Sequence, residues 1–282
     1  MTLHTTLIDP DTLHDLPADE VLIVDCRFDM ADSTRGHEEF HGGHVPGAVY
    51  ASLDDDLSDL SRQNEGLGRH PLPLEAAFSR LLSMWGWHQG LQVVAYDAGS
   101  SALAASRLWW LLRLVGIPCA VLDGGYAAWL EAGLPTASGK AKPRAATSVA
   151  LHYDASQVVL DHSRVLDKPG QRLLDARATP RFRGEVEPLD RVAGHIPGAF
   201  NRPFPDNLDG NGHFKSPQQL RAEFTAVLGD TAPGDVVHMC GSGVTACHSL
   251  LAMEYAGLSG SRLYAPSWSG WISDLQRPVA TG

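Results

Sequence analysis

Four cysteines punctuate the chain, Cys26, Cys119, Cys240 and Cys247, and one of them stands where a nucleophile is made. Asp235-Val-Val-His-Met-Cys240 is a short apolar run of strand type. Cys240-Gly-Ser-Gly-Val-Thr-Ala246 then leads into a segment of helical composition, Thr245–Ala256. The two glycines let the backbone curl, so that successive N–H groups can point at a common centre. A helix start at the same place adds positive potential. Both effects favour thiolate over thiol, and the thiolate is the form that attacks. The competing reading of Cys240 is a small packing residue of the core. Cys26 follows a strand-like run, Cys119 lies inside one and Cys247 falls within the helical segment, so those three read as structural. A phosphate-handling cysteine loop needs an arginine six residues after the nucleophile to clamp the phosphate. Here that position is Ala246, which disfavours phosphatase chemistry.

The elements that must hold Cys240 are written twice. Leu22-Ile-Val-Asp25-Cys-Arg27 parallels Leu173-Leu-Asp175-Ala-Arg177, and Gly43-His44-Val-Pro-Gly-Ala48 parallels Gly194-His195-Ile-Pro-Gly-Ala199. Gln92-Val-Val-Ala-Tyr-Asp97 matches the run that ends in Cys240, and Leu122-Asp-Gly-Gly-Tyr-Ala-Ala-Trp129 matches Leu263–Trp271. The copies lie half a chain apart, too far for a solenoid, so they mark a duplicated domain. Pro135–Arg144 is poor in large apolar residues and reads as an exposed linker. The expected organisation is a domain over 1–137, a linker over 138–151 and a second domain over 152–282. Pro73–Trp85 and Pro217–Leu228 place Leu74, Phe78, Leu81 and Leu82, or Leu220, Phe224 and Val227, at helical spacing. Strand–helix alternation predicts an α/β fold, a parallel sheet flanked by helices in each domain. Ligands on such sheets bind beyond the carboxyl ends of the strands, which is where Asp97 and Cys240 stand.

Composition narrows the function classes. The chain has 282 residues, 44% of them hydrophobic, with 22 Lys plus Arg against 33 Asp plus Glu and a formal net charge of −11. A chain this acidic repels phosphate backbones and anionic lipid surfaces, so neither nucleic acid nor membrane is expected as a partner. No apolar run approaches the ~18 residues of a span. Scattered cysteines without a Cys-x-x-Cys pair predict neither a disulfide framework nor a structural metal. The start of the chain carries Asp9, Asp11 and Asp15 and no basic-then-apolar leader, so a cytoplasmic location is the expectation.

Taken together, the Asp-x-Arg and Gly-His-x-Pro-Gly-Ala pairs, Gly68-Arg-His-Pro-Leu-Pro73 and the Cys240–Ala246 loop resemble the rhodanese superfamily, most closely its two-domain 3-mercaptopyruvate sulfurtransferases. The resemblance spans nearly the whole chain. It implies two rhodanese-like domains, the first catalytically silent because Asp97 replaces the cysteine. It further implies a sulfane sulfur carried as a persulfide on Cys240, taken from a small-molecule donor. The acceptor would be a thiol, cyanide or a reduced thioredoxin-like protein, and no cofactor or metal is called for. A neutral Cys-Gly-Ser-Gly loop resembles the mercaptopyruvate enzymes, whereas thiosulfate enzymes carry basic residues there. The implied proton relay is Ser242, His70 and Asp56, with Asp54 and Asp55 competing for the last place. The loop residues Gly241, Gly243, Val244 and Thr245 would cradle the donor. Arg181 would bind its carboxylate as an exposed fork, with Arg191 as the nearest match to a second arginine in a shortened segment. Arg183 is expected on the opposite side of an extended stretch, and His44 and His195 as packing residues. Alternatives are a thiosulfate:cyanide sulfurtransferase and a non-catalytic persulfide carrier.

Overall fold

Short, mainly apolar runs form the middle of two sheets in the computed structural model, which describes residues 3–141 and 144–282. Lys142 and Pro143, in the expected linker, lie outside the described residues. The chain divides into two compact units that do not follow chain order. One runs up to Asp59 and resumes over Leu72–Asp154; the other joins Leu60–Pro71 to Ala155–Gly282.

In the first unit, β1 (Leu7–Ile8), β2 (Val21–Asp25), β3 (Val49–Tyr50), β4 (Gln92–Tyr96) and β5 (Cys119–Leu122) pair in the order β1-β5-β4-β2-β3. Its helices are α1 (Pro10–His14), α2 (Arg35–Gly42), α3 (Glu75–Met84), α4 (Ala104–Leu114) and α5 (Gly125–Glu131). The second unit repeats the plan with β6 (Val158–Val159), β7 (Arg172–Asp175), β8 (Phe200–Asn201), β9 (Val236–Met239) and β10 (Arg262–Tyr264), ordered β6-β10-β9-β7-β8. Its helices are α6 (Thr179–Arg183), α7 (Pro217–Leu228), α8 (Ala246–Tyr255) and α9 (Ser267–Trp271). Every pairing within both sheets is parallel. Every residue of β2, β4 and β9 is buried, as befits strands covered on both faces.

Three local results differ from expectation. Arg181 and Arg183 lie on α6, not on an extended stretch: Pro180 opens that helix and Gly184, with φ +79°, closes it. Residues 144–151 are laid along the first unit rather than free in solvent. Thr147 N–H donates to the Ser83 carbonyl, Val149 and Leu151 donate to the hydroxyls of Ser83 and Ser79, and Arg144 reaches the Val21 carbonyl. Third, residues 60–71 leave the first half of the sequence and pack with the second unit.

In each unit a buried ion pair ties the strand next to the central one, β2 or β7, to its Gly-His turn. Arg27 forks onto Asp25 and donates to the Gly43 carbonyl at 2.6 Å; Arg177 forks onto Asp175 and donates to the Gly194 carbonyl at 2.8 Å. His44 and His195 each bind a carbonyl through Nδ1 at 2.8 Å and stack on Phe40 and Phe182, so both serve packing.

Candidate active site

Cys240 follows β9 directly, and its backbone is pinned from two sides. Its N–H donates to Ser267 Oγ at 3.1 Å, and its carbonyl accepts from Trp268 N–H at 3.0 Å. Gly241 is held next, its carbonyl accepting from Ser269 N–H at 2.9 Å. Gly243 turns the loop at φ +78°, and a Cβ there would stand 2.4 Å from the Ala265 carbonyl oxygen, so only glycine fits. Val244 and Thr245 then lead into α8, whose first turn no side chain caps. Its first turn is closed by the chain itself, Cys247 N–H donating to the Val244 carbonyl at 3.0 Å and His248 N–H to that of Thr245 at 3.2 Å. Cys240 itself is 2% exposed.

The first unit shows what such a loop does. Asp97 follows β4 as Cys240 follows β9, and its own carboxylate fills the loop: Oδ1 accepts from Gly99 N–H at 3.2 Å and Ser101 N–H at 2.9 Å, Oδ2 from Leu103 N–H at 3.4 Å. The bracing is also repeated, with Tyr126 N–H on the Asp97 carbonyl and Ala127 N–H on that of Ala98. An anion is thus the natural occupant of this turn. Burial nevertheless holds the Asp97 carboxyl above the usual range, outweighing those N–H bonds. Burial likewise pushes up the thiols of Cys26 and Cys119, which suits packing and not attack.

The segment 60–71 brings two side chains to the Cys240 loop. It can lie close because Gly68, at φ +87°, has no side chain: a Cβ would stand 2.4 Å from the Pro266 carbonyl oxygen. Arg69 N–H donates to Ser269 Oγ at 3.0 Å. Next in sequence, His70 Nδ1 shares a 2.8 Å hydrogen bond with Ser242 Oγ, and Ser242 is buried. Two of the expected relay residues are therefore joined. Asp56 belongs to the first unit, where its carboxylate accepts from Ser52 N–H at 2.8 Å and burial raises its carboxyl.

Arg181 is not the exposed fork expected of it. Its Nε and Nη2 grip Glu187 at 3.0 and 2.7 Å, and Nη2 also reaches Asp190 at 3.1 Å. Both carboxylates are 4% exposed, and the Arg181 side chain 17%. Arg183 is the exposed arginine, 3.8 Å from Glu185. Arg191 is engaged elsewhere, its Nη2 donating to the carbonyls of Ile272 and Ser273 just past the end of α9. Sequence reasoning passed over Arg69, though it adjoins His70 in the quoted motif. Arg69 Nη1 pairs with Asp190, so one buried carboxylate joins Arg69 to Arg181. A methyl group placed on Gly241 would stand 2.9 Å from Arg69 Nη2 and 3.6 and 3.7 Å from Arg181 Nη2 and Nη1. The loop is neutral, but two guanidiniums flank it.

Two segments, residues 9–132 and 160–274, match the rhodanese-like domain family. A Pseudomonas aeruginosa protein named "Probable 3-mercaptopyruvate sulfurtransferase" is 47% identical over 270 residues, covering 93% of each chain. The thiosulfate sulfurtransferase of Bos taurus is 32% identical over 89% of this chain and 84% of its own. Among solved structures, the 3-mercaptopyruvate sulfurtransferase of Leishmania major superposes with a TM-score of 0.85 at 32% identity, covering 97% of this chain and 75% of that one.

Proposed function

The chain belongs to the rhodanese family, with two rhodanese-like domains of a sulfurtransferase, and from that premise we propose that it moves the sulfur of 3-mercaptopyruvate through a persulfide on Cys240. The observation that carries this reading is the hydrogen bond between His70 and Ser242, two residues beyond a strand-end cysteine. Cys240 thiolate attacks the donor sulfur, and the sulfur–carbon bond breaks with its electron pair passing to the pyruvate enolate. The proton that the donor thiol carried ends on the enolate carbon. Ser242 and His70 are placed to lift it from sulfur and return it to carbon, with Asp56 as the carboxylate of the relay. The persulfide left on Cys240 occupies a loop whose counterpart in the first unit seats a carboxylate. An acceptor thiol, from a small molecule or a thioredoxin-like protein, then attacks the outer sulfur and restores the cysteine.

A second reading, thiosulfate as the donor, is favoured by one observation: the guanidiniums of Arg69 and Arg181 beside Gly241 would suit a donor charged close to its transferred sulfur. Steady-state kinetics with both donors separates the two. Mercaptopyruvate should be used at least ~100-fold more efficiently, roughly 2.7 kcal/mol of transition-state binding. Intact mass after donor treatment should rise by one sulfur atom and fall back on adding thiol. In Cys240→Ser both turnover and the mass gain should vanish. Equal kcat/KM for the two donors removes the mercaptopyruvate assignment, and a persulfide mapped to Cys247 removes Cys240.

A further inference from the structure

Residues 60–71 carry His70 to the Ser242 hydroxyl, so whatever fixes that segment fixes the proton path. The segment closes on itself, Gln63 Nε2 donating to the Arg69 carbonyl at 2.7 Å, with Gly66 halfway between them. Gly66 rests backbone to backbone on α9: a Cβ on Gly270 would stand 2.9 Å from the Gly66 carbonyl oxygen and 3.2 Å from Gly68 N. The Gly66 carbonyl also accepts a hydrogen bond from the imidazole of His162, whose Nε2 lies 3.8 Å from where a Cβ on Gly66 would begin. On the other side of that ring, Nδ1 is 2.5 Å from the hydroxyl of Tyr264, the last residue of β10. With Nε2 spent as a donor to a carbonyl, Nδ1 of the neutral ring is the acceptor and the Tyr264 hydroxyl donates. Burial and the Arg277 guanidinium favour that neutral ring, against the pull of the Gly66 carbonyl, Asp161 and Asp274.

We propose that His162, fixed by Tyr264, is a positioning residue for the sulfur transfer: it clasps Gly66 and thereby holds His70 on Ser242. β10 lies beside β9, the strand that ends at Cys240, so the clasp refers the histidine to the same sheet that carries the cysteine. Tyr264 is fully buried and gives the clasp a fixed root. The proposal deepens the mercaptopyruvate reading and rests on the relay in it.

The test measures kcat and KM for mercaptopyruvate, and amide hydrogen exchange over residues 60–71, in wild type, His162→Phe, His162→Gln, Tyr264→Phe, His70→Asn and the His162→Phe/His70→Asn double variant. His162→Phe keeps a ring against Tyr264 but gives up both hydrogen bonds. Exchange over 60–71 should quicken, and kcat should fall at least about tenfold and by more than KM rises, because a small misplacement of a catalytic group costs up to about a hundredfold. His162→Gln, whose amide N–H reaches about as far as Nε2, should recover part of both losses. Tyr264→Phe removes one hydroxyl and should show the same changes in lesser degree, which keeps the test open where a larger change prevents folding. In the His70→Asn background, His162→Phe should lower kcat by no more than about twofold further, since the group it positions is already gone. A residue that merely supports the fold would lower kcat by the same factor in both backgrounds, and that result overturns the clasp. So does a wild-type kcat, or unchanged exchange over 60–71, in both His162→Phe and Tyr264→Phe. His70→Asn with the activity of wild type overturns the relay, and the clasp with it. An impaired His70→Asn beside an indifferent His162→Phe overturns the clasp alone.

Discussion

Arg181 shows how a residue's surroundings change what its removal means. An exposed arginine contributes little to stability, and by that rule Arg181→Ala would be silent in a thermal melt. In place, Arg181 is the main partner of Glu187 and one of two cations on Asp190, both buried. Truncation leaves Glu187 with only the 3.4 Å contact to Arg177 for a cation and Asp190 with Arg69 alone, which costs about 1–3 kcal/mol. Arg181→Ala should therefore lower the melting temperature as well as raise KM, whereas Arg183→Ala should do neither; a calorimetric scan of both variants checks this. At this scale the sequence speaks most readily of residues defined by local chemistry. Cys240 stands out through its strand end and glycine curl, and Ser242 and His70 through the family resemblance alone. Arg69 did not, because its role depends on Gly68 approaching Pro266 and on Asp190, neither of which is near it in sequence. Arg191 looked apt by proximity to the Gly-His turn, yet two carbonyls beyond α9 claim it.

At the level of elements, the turn carrying His195 is positioned by a buried charge. Arg177 is 2% exposed, forks onto Asp175 at the end of β7, donates to the Gly194 carbonyl and lies over the Trp268 ring at 4.6 Å. Trp268 in turn donates its backbone N–H to the Cys240 carbonyl, so β7, the His195 turn and the cysteine loop share one brace. Arg177→Met keeps the volume but leaves Asp175, at 0% exposure, without its cation and with only the backbone N–H of residue 177, which should destabilise the fold by about 3–5 kcal/mol in urea unfolding. A smaller loss would mean that Asp175 is solvated or protonated in the variant. The strands and long helices were legible in advance because apolar runs and helical spacing are local signals: α7 covers Pro217–Leu228 as expected. The short α6 was not, since five residues are too few for periodicity to speak. Nor was the placement of 60–71, because its packing comes from glycine contacts made across most of the chain length.

For the molecule as a whole, duplication has left two strand-end loops of one plan, one carrying a thiol and one filled by its own carboxylate. The raised carboxyl of Asp97 gives this a pH signature. A folded-state pKa above the unfolded one means the native protein holds the extra proton between the two, so the group's burial weakens the fold most at neutral pH. That cost disappears as pH falls through the raised value. Asp97→Asn should accordingly gain on wild type in melting temperature at neutral pH, and the difference should shrink as the medium is acidified. A difference that does not vary with pH would show that Asp97 titrates normally. The segment 60–71 bears on a further matter, the order of events while the chain is made. His70 and Ser242 are separated by 172 positions, so the relay cannot close until long after the histidine has left the ribosome. At synthesis rates of about 5–20 residues per second that is an interval of roughly 10 to 35 s. Until the second unit has closed over residues 60–71, Cys240 has neither relay nor flanking Arg69, and the chain cannot practise its chemistry prematurely on the thiols around it.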